Sequence, residues 1–292
     1  MKDKSDSIRF AYAAIGWIKP TDEEPVRPVA VAEVVHMLRD TGLDGIEGFG
    51  LAEMLPKDAN LASTLKAARM SFCGAYASGS FVVLDPNRVA HERAKLKRSV
   101  TKIAELGGST VSVGGGRIYE GRRELDWPIF IKTIRHLAEI AHDAGVRFGF
   151  HPHKGTLVFT PEEIDRFLKD TEDAAQIVGL TLDTAHVAIG GGDVLRVFER
   201  YHSRTVHIHL KDVKKDQAAA GYTENDSFAP LGRGSLPIKE IIAEASNRGY
   251  RGWMTVELDA SRDALGDAKL SLANLKRWLD ELSIPTRLRE LT

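Results

Sequence analysis

Eight short apolar runs alternate with longer amphipathic stretches along the 292-residue chain, and few folds can absorb that pattern. The runs are Phe10–Ile15, Gly45–Phe49, Met70–Tyr76, Thr110–Val113, Val146–His151, Val178–Asp183, Thr205–Leu210 and Trp253–Leu258. The stretches near 30–41, 58–69, 88–106, 128–144, 161–171, 193–202, 237–248 and 266–282 carry apolar residues at three- and four-residue spacing, as helices with one buried face do. Phe130, Ile131, Ile134, Leu137, Ala138 and Ala141 show that spacing. Thr160-Pro-Glu-Glu163 reads as a helix start, with a Thr cap, Pro at the first helical position and acids in the first turn. Gly42, Gly107, Gly145 and Gly249 read as helix stops.

Eight strand–helix repeats predict an α/β chain folded as a single (β/α)8 TIM barrel over residues 1–292. The alternative, an open doubly wound sheet, usually has fewer strands. Its dinucleotide-binding form opens with G-x-G-x-x-G after the first strand, and that motif is absent. Gly114-Gly115-Gly116 and Gly190-Gly191-Gly192 lack the spacing and read as mobile or tightly turning loops.

Lys and Arg number 40 against 41 Asp and Glu, so no global charge draws the chain to nucleic acid or an anionic membrane. The basic run Arg93–Arg98 reads as a solvated helix face. The single cysteine, Cys73, excludes an intrachain disulfide and reads as an inert buried thiol. The charged N-terminus and the lack of an apolar run of about 18 residues predict neither a secretory leader nor a membrane span. A cytoplasmic protein is expected, with a small-molecule partner, no nucleic acid and no membrane; homo-oligomerisation is left open.

In such a barrel, chemistry sits at the C-terminal ends of the strands, and strand side chains alternate between interior and helix layer. Parity sends Phe148 and Phe150 outward and His151 and His153 inward. It sends Asp183 inward, with His186 in the following loop. His207, His209 and Lys211 face in, as do Glu257 and Glu47. Five strands thus bring ionisable groups to one end of one cavity, where each needs a partner. His151, Asp183, His209 and Glu257 are the expected ligands of a divalent metal. Two imidazoles and two carboxylates suit Mn²⁺, Fe²⁺, Co²⁺ or Zn²⁺ better than Ca²⁺. His207, one layer lower, reads as structural or supporting. Glu47 has the competing reading of neutralising a buried cation such as Lys211. Trp17 is open between stacking on a ligand ring and covering the barrel mouth.

These residues carry a resemblance across essentially the whole chain. Leu182-Asp-Thr-Ala-His186, Val206-His-Ile-His-Leu-Lys-Asp212 and Thr255-Val-Glu257 resemble the xylose-isomerase-like barrel superfamily of sugar isomerases, epimerases and dehydratases. Ala14-Ile-Gly-Trp17, His151-Pro-His-Lys-Gly-Thr156 and Tyr250-Arg-Gly-Trp253 make it most similar to the inosose dehydratase group within it. The resemblance implies one divalent metal, commonly Mn²⁺ or Co²⁺ with Mg²⁺, Fe²⁺ or Zn²⁺ as other candidates, on the four residues reached by parity. It also implies that His186 contacts substrate.

Many ketose epimerases of the superfamily place Glu where this chain has His151, and use two glutamates on opposite substrate faces. A metal-bound imidazole is a poor general base, which does not suit the two-carboxylate epimerase mechanism; His at this position is similar to the inosose dehydratase pattern, and that resemblance implies elimination of water. The motif here is His-Pro-His where the dehydratase group has His-His-His.

The expected activity is that of a lyase acting on a keto-polyol through an enediolate. His153, His186, Lys211 and Glu47 are the candidate proton-carrying groups, and Trp17, His186 and Lys211 the candidate substrate contacts. The Lys211 ammonium is expected to be lowered in pKa by desolvation and the metal's charge. The long segment from Asp212 to Pro237 is a candidate lid. The alternatives are sugar isomerisation or epimerisation, β-elimination or hydration of a 3-keto-glycoside, and a non-catalytic sugar-binding barrel. A DNA-repair endonuclease needs a three-metal cluster and a basic groove, which this composition does not favour.

Overall fold

The computed structural model describes residues 8–18, 30–50, 60–82, 86–215, 227–259 and 261–288. The apolar runs form eight strands: β1 Arg9–Ala13, β2 Gly45–Phe49, β3 Ser71–Gly79, β4 Thr110–Gly115, β5 Arg147–His151, β6 Val178–Asp183, β7 Thr205–Leu210 and, after a short ribbon, β10 Trp253–Val256. They close in the order β1-β10-β7-β6-β5-β4-β3-β2, with every neighbouring pair parallel. The fold is a closed (β/α)8 barrel, as the alternation predicts.

Each expected amphipathic stretch contains a helix, and the helices bury their apolar faces against the outside of the barrel. Phe148 and Phe150 of β5 face that layer. Phe150 packs at 4.6 Å between ring centres on Phe167, and at 5.4 Å on Phe130. The helix Pro161–Asp170 starts at the expected capping box. Glu163 N donates to Thr160 Oγ1, and the Glu163 carboxylate accepts from Thr160 N. Gly107 (φ +75°) and Gly145 (φ +72°) end their helices in the left-handed region, where a side chain would be strained.

The helix expected from residue 128 begins earlier, at Arg123, with Pro128 inside it. Pro128 has no N–H for the Glu124 carbonyl, but one missing bond in the second turn does not stop the helix. Two short helices were not expected: Ile15–Ile18 after β1 and Thr184–Ile189 after β6. Both are too short to show a period. Gly114 and Gly115 are strand residues, not a loop as read from the sequence. Gly114 is needed because a Cβ there would collide with the Tyr76 hydroxyl.

The candidate lid is tied down at both described ends. Asp212–Val213 and Phe228–Ala229 (β8 and β9) pair antiparallel. The Asp212 carboxylate accepts from the backbone N–H groups of Val213, Gly232, Gly234 and Leu236. The middle of the segment, 216–226, lies outside the described residues. Among the described residues, no helix is long and apolar enough to cross a membrane.

Candidate metal centre and active site

Above the strand ends lies a cavity of about 200 Å³. Glu47, His151, His209, Lys211 and Glu257 line it, joined by His153 and His186. Asp183 is buried beside them. Strand parity gave the inward direction of all of these but His186, which lies in the helix after β6. In the register, Glu47 stands level with Ala13, and His209 with both Asp183 and Thr255.

Local structure explains each placement. Asp183 ends β6 and caps the helix that follows, its Oδ1 accepting from His186 N at 2.9 Å. That capping bond spends one carboxylate oxygen and fixes the other, Oδ2, toward the barrel axis. Lys211 follows β7, and Thr184 clamps it there. The Thr184 hydroxyl donates to the Lys211 carbonyl at 2.6 Å and accepts from Lys211 N at 2.9 Å. Glu257, just past β10, is held by its backbone N–H to the Leu210 carbonyl at 3.0 Å.

Buried polar atoms normally find partners, and here several do not. Both ring nitrogens of His151 and Asp183 Oδ2 are buried without a hydrogen bond, although His151 Nε2 and Asp183 Oδ2 lie 3.4 Å apart. One donor atom each from His151, Asp183 and His209 falls within a 4.8 Å group. His209 Nδ1 also faces Glu257 Oε2 at 2.7 Å. His209 Nε2 lies 2.9 Å from Glu47 Oε2, and a carboxylate can only accept there. In the metal-free protein both ring nitrogens of His209 thus face carboxylates; were Nδ1 to give its proton up to a metal, the remaining proton would sit on Nε2, facing Glu47. This donor set, with its supporting carboxylate, fits a divalent metal.

A second group, Glu47, His207 and His209, has the same spacing but a different character. His207 is already satisfied, by Thr110 at 3.1 Å on Nδ1 and Thr255 at 2.8 Å on Nε2. It is a hydrogen-bonded layer rather than a ligand set.

The charges are mutually arranged. Burial alone would raise the Glu47 carboxyl, but His209 and His207 outweigh it and hold the group well below the carboxylate range. Burial likewise opposes ionisation of Asp183 and Glu257, and Lys211 and the neighbouring histidines overcome it. The expectation of a lowered Lys211 is corrected. Desolvation does pull it down, but Asp259, Glu257 and Asp183 hold the ammonium well above its ordinary value. Its Nζ is 2.7 Å from Asp259 Oδ1 and 2.9 Å from Glu257 Oε1, and sits 4.1 Å from the Phe228 ring centre. Glu47 does not serve as partner to Lys211, the competing role read from the sequence; its partners are the two histidines.

His153 and His186 stand at the cavity wall with ring centres 4.0 Å apart. His153 Nδ1 lies 2.9 Å from the Lys154 carbonyl, which can only accept, so Nδ1 carries the proton. Burial keeps His186 neutral, its pKa well below the ordinary histidine value despite Asp183. Trp17 is buried in the helix layer with its ring edge-on to Tyr12 at 5.2 Å, and is not among the residues lining the cavity. Cys73 is buried with its thiol on the Ile46 carbonyl.

Sequence reasoning missed Asp259, Phe49, Tyr76 and Ser78, all on the cavity wall. Asp259 was within reach of the parity argument, two residues beyond Glu257. The two aromatics read only as strand core.

Comparison with known proteins agrees with this architecture. The sequence model of the family described as "Xylose isomerase-like TIM barrel" matches residues 35–282. An inosose dehydratase of Lactiplantibacillus plantarum is 26% identical over 283 residues, covering 89% of this chain and 91% of that protein. Among solved structures, the probable 3-DHS dehydratase AsbF of Bacillus anthracis superposes with a TM-score of 0.74 at 16% identity, covering 92% of this chain and 99% of that one. The IOLI protein, solved with a binding zinc atom, gives 0.72 at 17% identity, covering 95% and 97%. With the family match spanning most of its length and a closed eight-stranded barrel, the chain belongs to the xylose isomerase-like TIM barrel family.

Proposed function

We propose that this chain is a divalent-metal-dependent dehydratase of an inosose-type keto-polyol. One observation carries the reading: buried donor atoms of His151, Asp183 and His209, all within 4.8 Å of one another, converge at the catalytic end of the barrel. That the chain is an enzyme of the carbon–oxygen lyase class rests on relatives named inosose dehydratase, matched over about nine-tenths of both chains. His151, Asp183, His209 and Glu257 would hold the ion, with Mn²⁺ or Co²⁺ the expected metals. When bound, it polarises a substrate carbonyl and acidifies the C–H beside it.

The protein's own groups handle the protons. His153, protonated on Nδ1, offers the Nε2 lone pair to take the proton from carbon, and neutral His186 beside it is the second base. Lys211 is the group with a proton to give. The departing hydroxyl leaves with that proton as water while the C–H electron pair becomes the new double bond. Glu47, engaged with His209 and kept ionised, supports a ligand instead of carrying protons.

The test is elemental analysis of the purified protein together with turnover of 2-keto-myo-inositol, followed by absorbance of the diketone product. About one ion per chain, with turnover that disappears on chelation and returns with metal, is expected. A folded parent that holds no metal overturns the reading.

A further inference from the structure

The geometry points to Phe49 and Tyr76 as a specificity wall that packs the C–H face of an uncharged ring, in a cavity that rejects anionic substrates. This rests on the dehydratase reading and narrows its substrate class.

The cavity lining combines aromatic and polar groups. Phe49 ends β2 and Tyr76 lies in β3, and their rings are parallel to within 3°, with centres 5.4 Å apart. Tyr76 also turns its ring against His151, at 5.5 Å and 85°. The aromatic surface therefore begins at a proposed metal ligand. Ala13 and Ile15 extend it. Tyr76 is fixed from behind, because Gly114 leaves just the room its hydroxyl needs. His153, His186 and Lys211, from the ends of β5, β6 and β7, and Asp259, past β10, bring polar groups to the same lining. A cyclic polyol has polarised C–H groups for the negative face of an aromatic ring and hydroxyls for the polar groups. An open chain presents no such persistent face.

Charge supplies the second half. Four carboxylates, Glu47, Asp183, Glu257 and Asp259, lie at or beside the cavity. Among the described residues, the ammonium or guanidinium group lining it is Lys211, already bound to Glu257 and Asp259. Even with a divalent ion present, the carboxylates outnumber the fixed positive charges. Among the described residues lining the cavity, no arginine would receive a substrate carboxylate or phosphate.

The test uses calorimetric titration of the Mn²⁺-loaded protein with 2-keto-myo-inositol and with 3-dehydroshikimate, a carboxylate-bearing ring. The parent should bind the first and bind the second at least a hundredfold more weakly. Phe49→Ala should weaken inosose binding about tenfold, and Phe49→Tyr should restore it, both with the parent's metal content. Gly114→Ala, which displaces Tyr76, should act like Phe49→Ala. Comparable binding of 3-dehydroshikimate, or unchanged inosose binding in Phe49→Ala, overturns the inference. If turnover of inosose persists in that case, the dehydratase reading survives. Metal and inosose binding without turnover removes the dehydratase reading and leaves the wall standing.

Discussion

His207 and His209 share a strand and a face, two residues apart, yet they belong to different chemistry. His207 sits in a finished layer. Both ring nitrogens are hydrogen-bonded, to Thr110 and Thr255, and burial lowers its pKa so that it stays neutral. Trp253, level with it in the register, packs with Ala11 and Cys73 in a small buried apolar cluster. His209 sits in an unfinished layer, between the carboxylates of Glu47 and Glu257, beside His151 and Asp183 atoms left without hydrogen bonds. Burial is nearly the same in both. What differs is whether the polar atoms are satisfied from within, and that difference separates a structural polar layer from a site that needs a guest.

The sharpest way to break the comparison is to remove a ligand from the unfinished layer. Asp183→Asn and His209→Ala should each lose bound metal and bring turnover to background, measured by elemental analysis beside kinetics. Asp183→Asn keeps a cap for the 184–189 helix, so its circular dichroism should match the parent. Stoichiometric metal in both variants would make the upper layer as finished as the lower.

Glu47→Gln probes the support of the ligand rather than the ligand. Loss of a partner that orients a metal-bound histidine typically weakens metal binding 10–100-fold. Competition with a chromogenic chelator should show a drop in that range, with turnover restored by excess metal. Unchanged affinity with lost turnover would return Glu47 to the proton carriers named from the sequence.

Much of this was legible before the structure, for a definite reason. Strand alternation has a period of two, so once a strand end is placed, the inward set follows. The inward placement of His151, Asp183, His209 and Glu257 needed nothing more. Partners across strands are a different matter. That Glu47 would meet His209 and not Lys211 depends on the stagger between β2 and β7, which no single strand encodes. The Lys211 shift was misjudged because Asp259, on the loop past β10, had not been counted. The helix 184–189 was missed although its cap, Asp183, was already in view. Six residues are too few for a period to emerge.

Protonation separates the layers in a graded way. In the metal-free protein, burial would lower His209, but Glu257 and Glu47 hold it well above the ordinary histidine value. An ion must displace that proton. Metal affinity should therefore rise with pH through neutrality, with proton release seen by calorimetry in buffers of different ionisation enthalpy. The sign for stability is opposite. A histidine raised on folding contributes fully below its unfolded pKa of about 6.5, and that contribution fades as pH rises through the raised value. The metal-free protein should thus lose melting temperature on the alkaline side, and saturating metal should remove most of that slope. A pH-independent metal affinity would put His209 neutral in the free protein, like His207.

The smallest effect on the site should come from the finished layer itself. His207→Ala strips the Thr110 and Thr255 hydroxyls of a buried partner; Thr110 keeps its bond to the Cys73 carbonyl, and loss of such a buried partner costs about 1–3 kcal/mol. It also removes a histidine 3.4 Å from Glu47, though Glu47 keeps His209 at 2.9 Å. Chemical denaturation should show the stability loss, while metal affinity stays within about threefold of the parent. His207→Gln, which can still donate and accept, should recover part of the stability. A large loss of metal in His207→Ala at full stability would mean that the two layers act as one network, and that the boundary drawn between two histidines of the same strand lies one turn of the pleat too high.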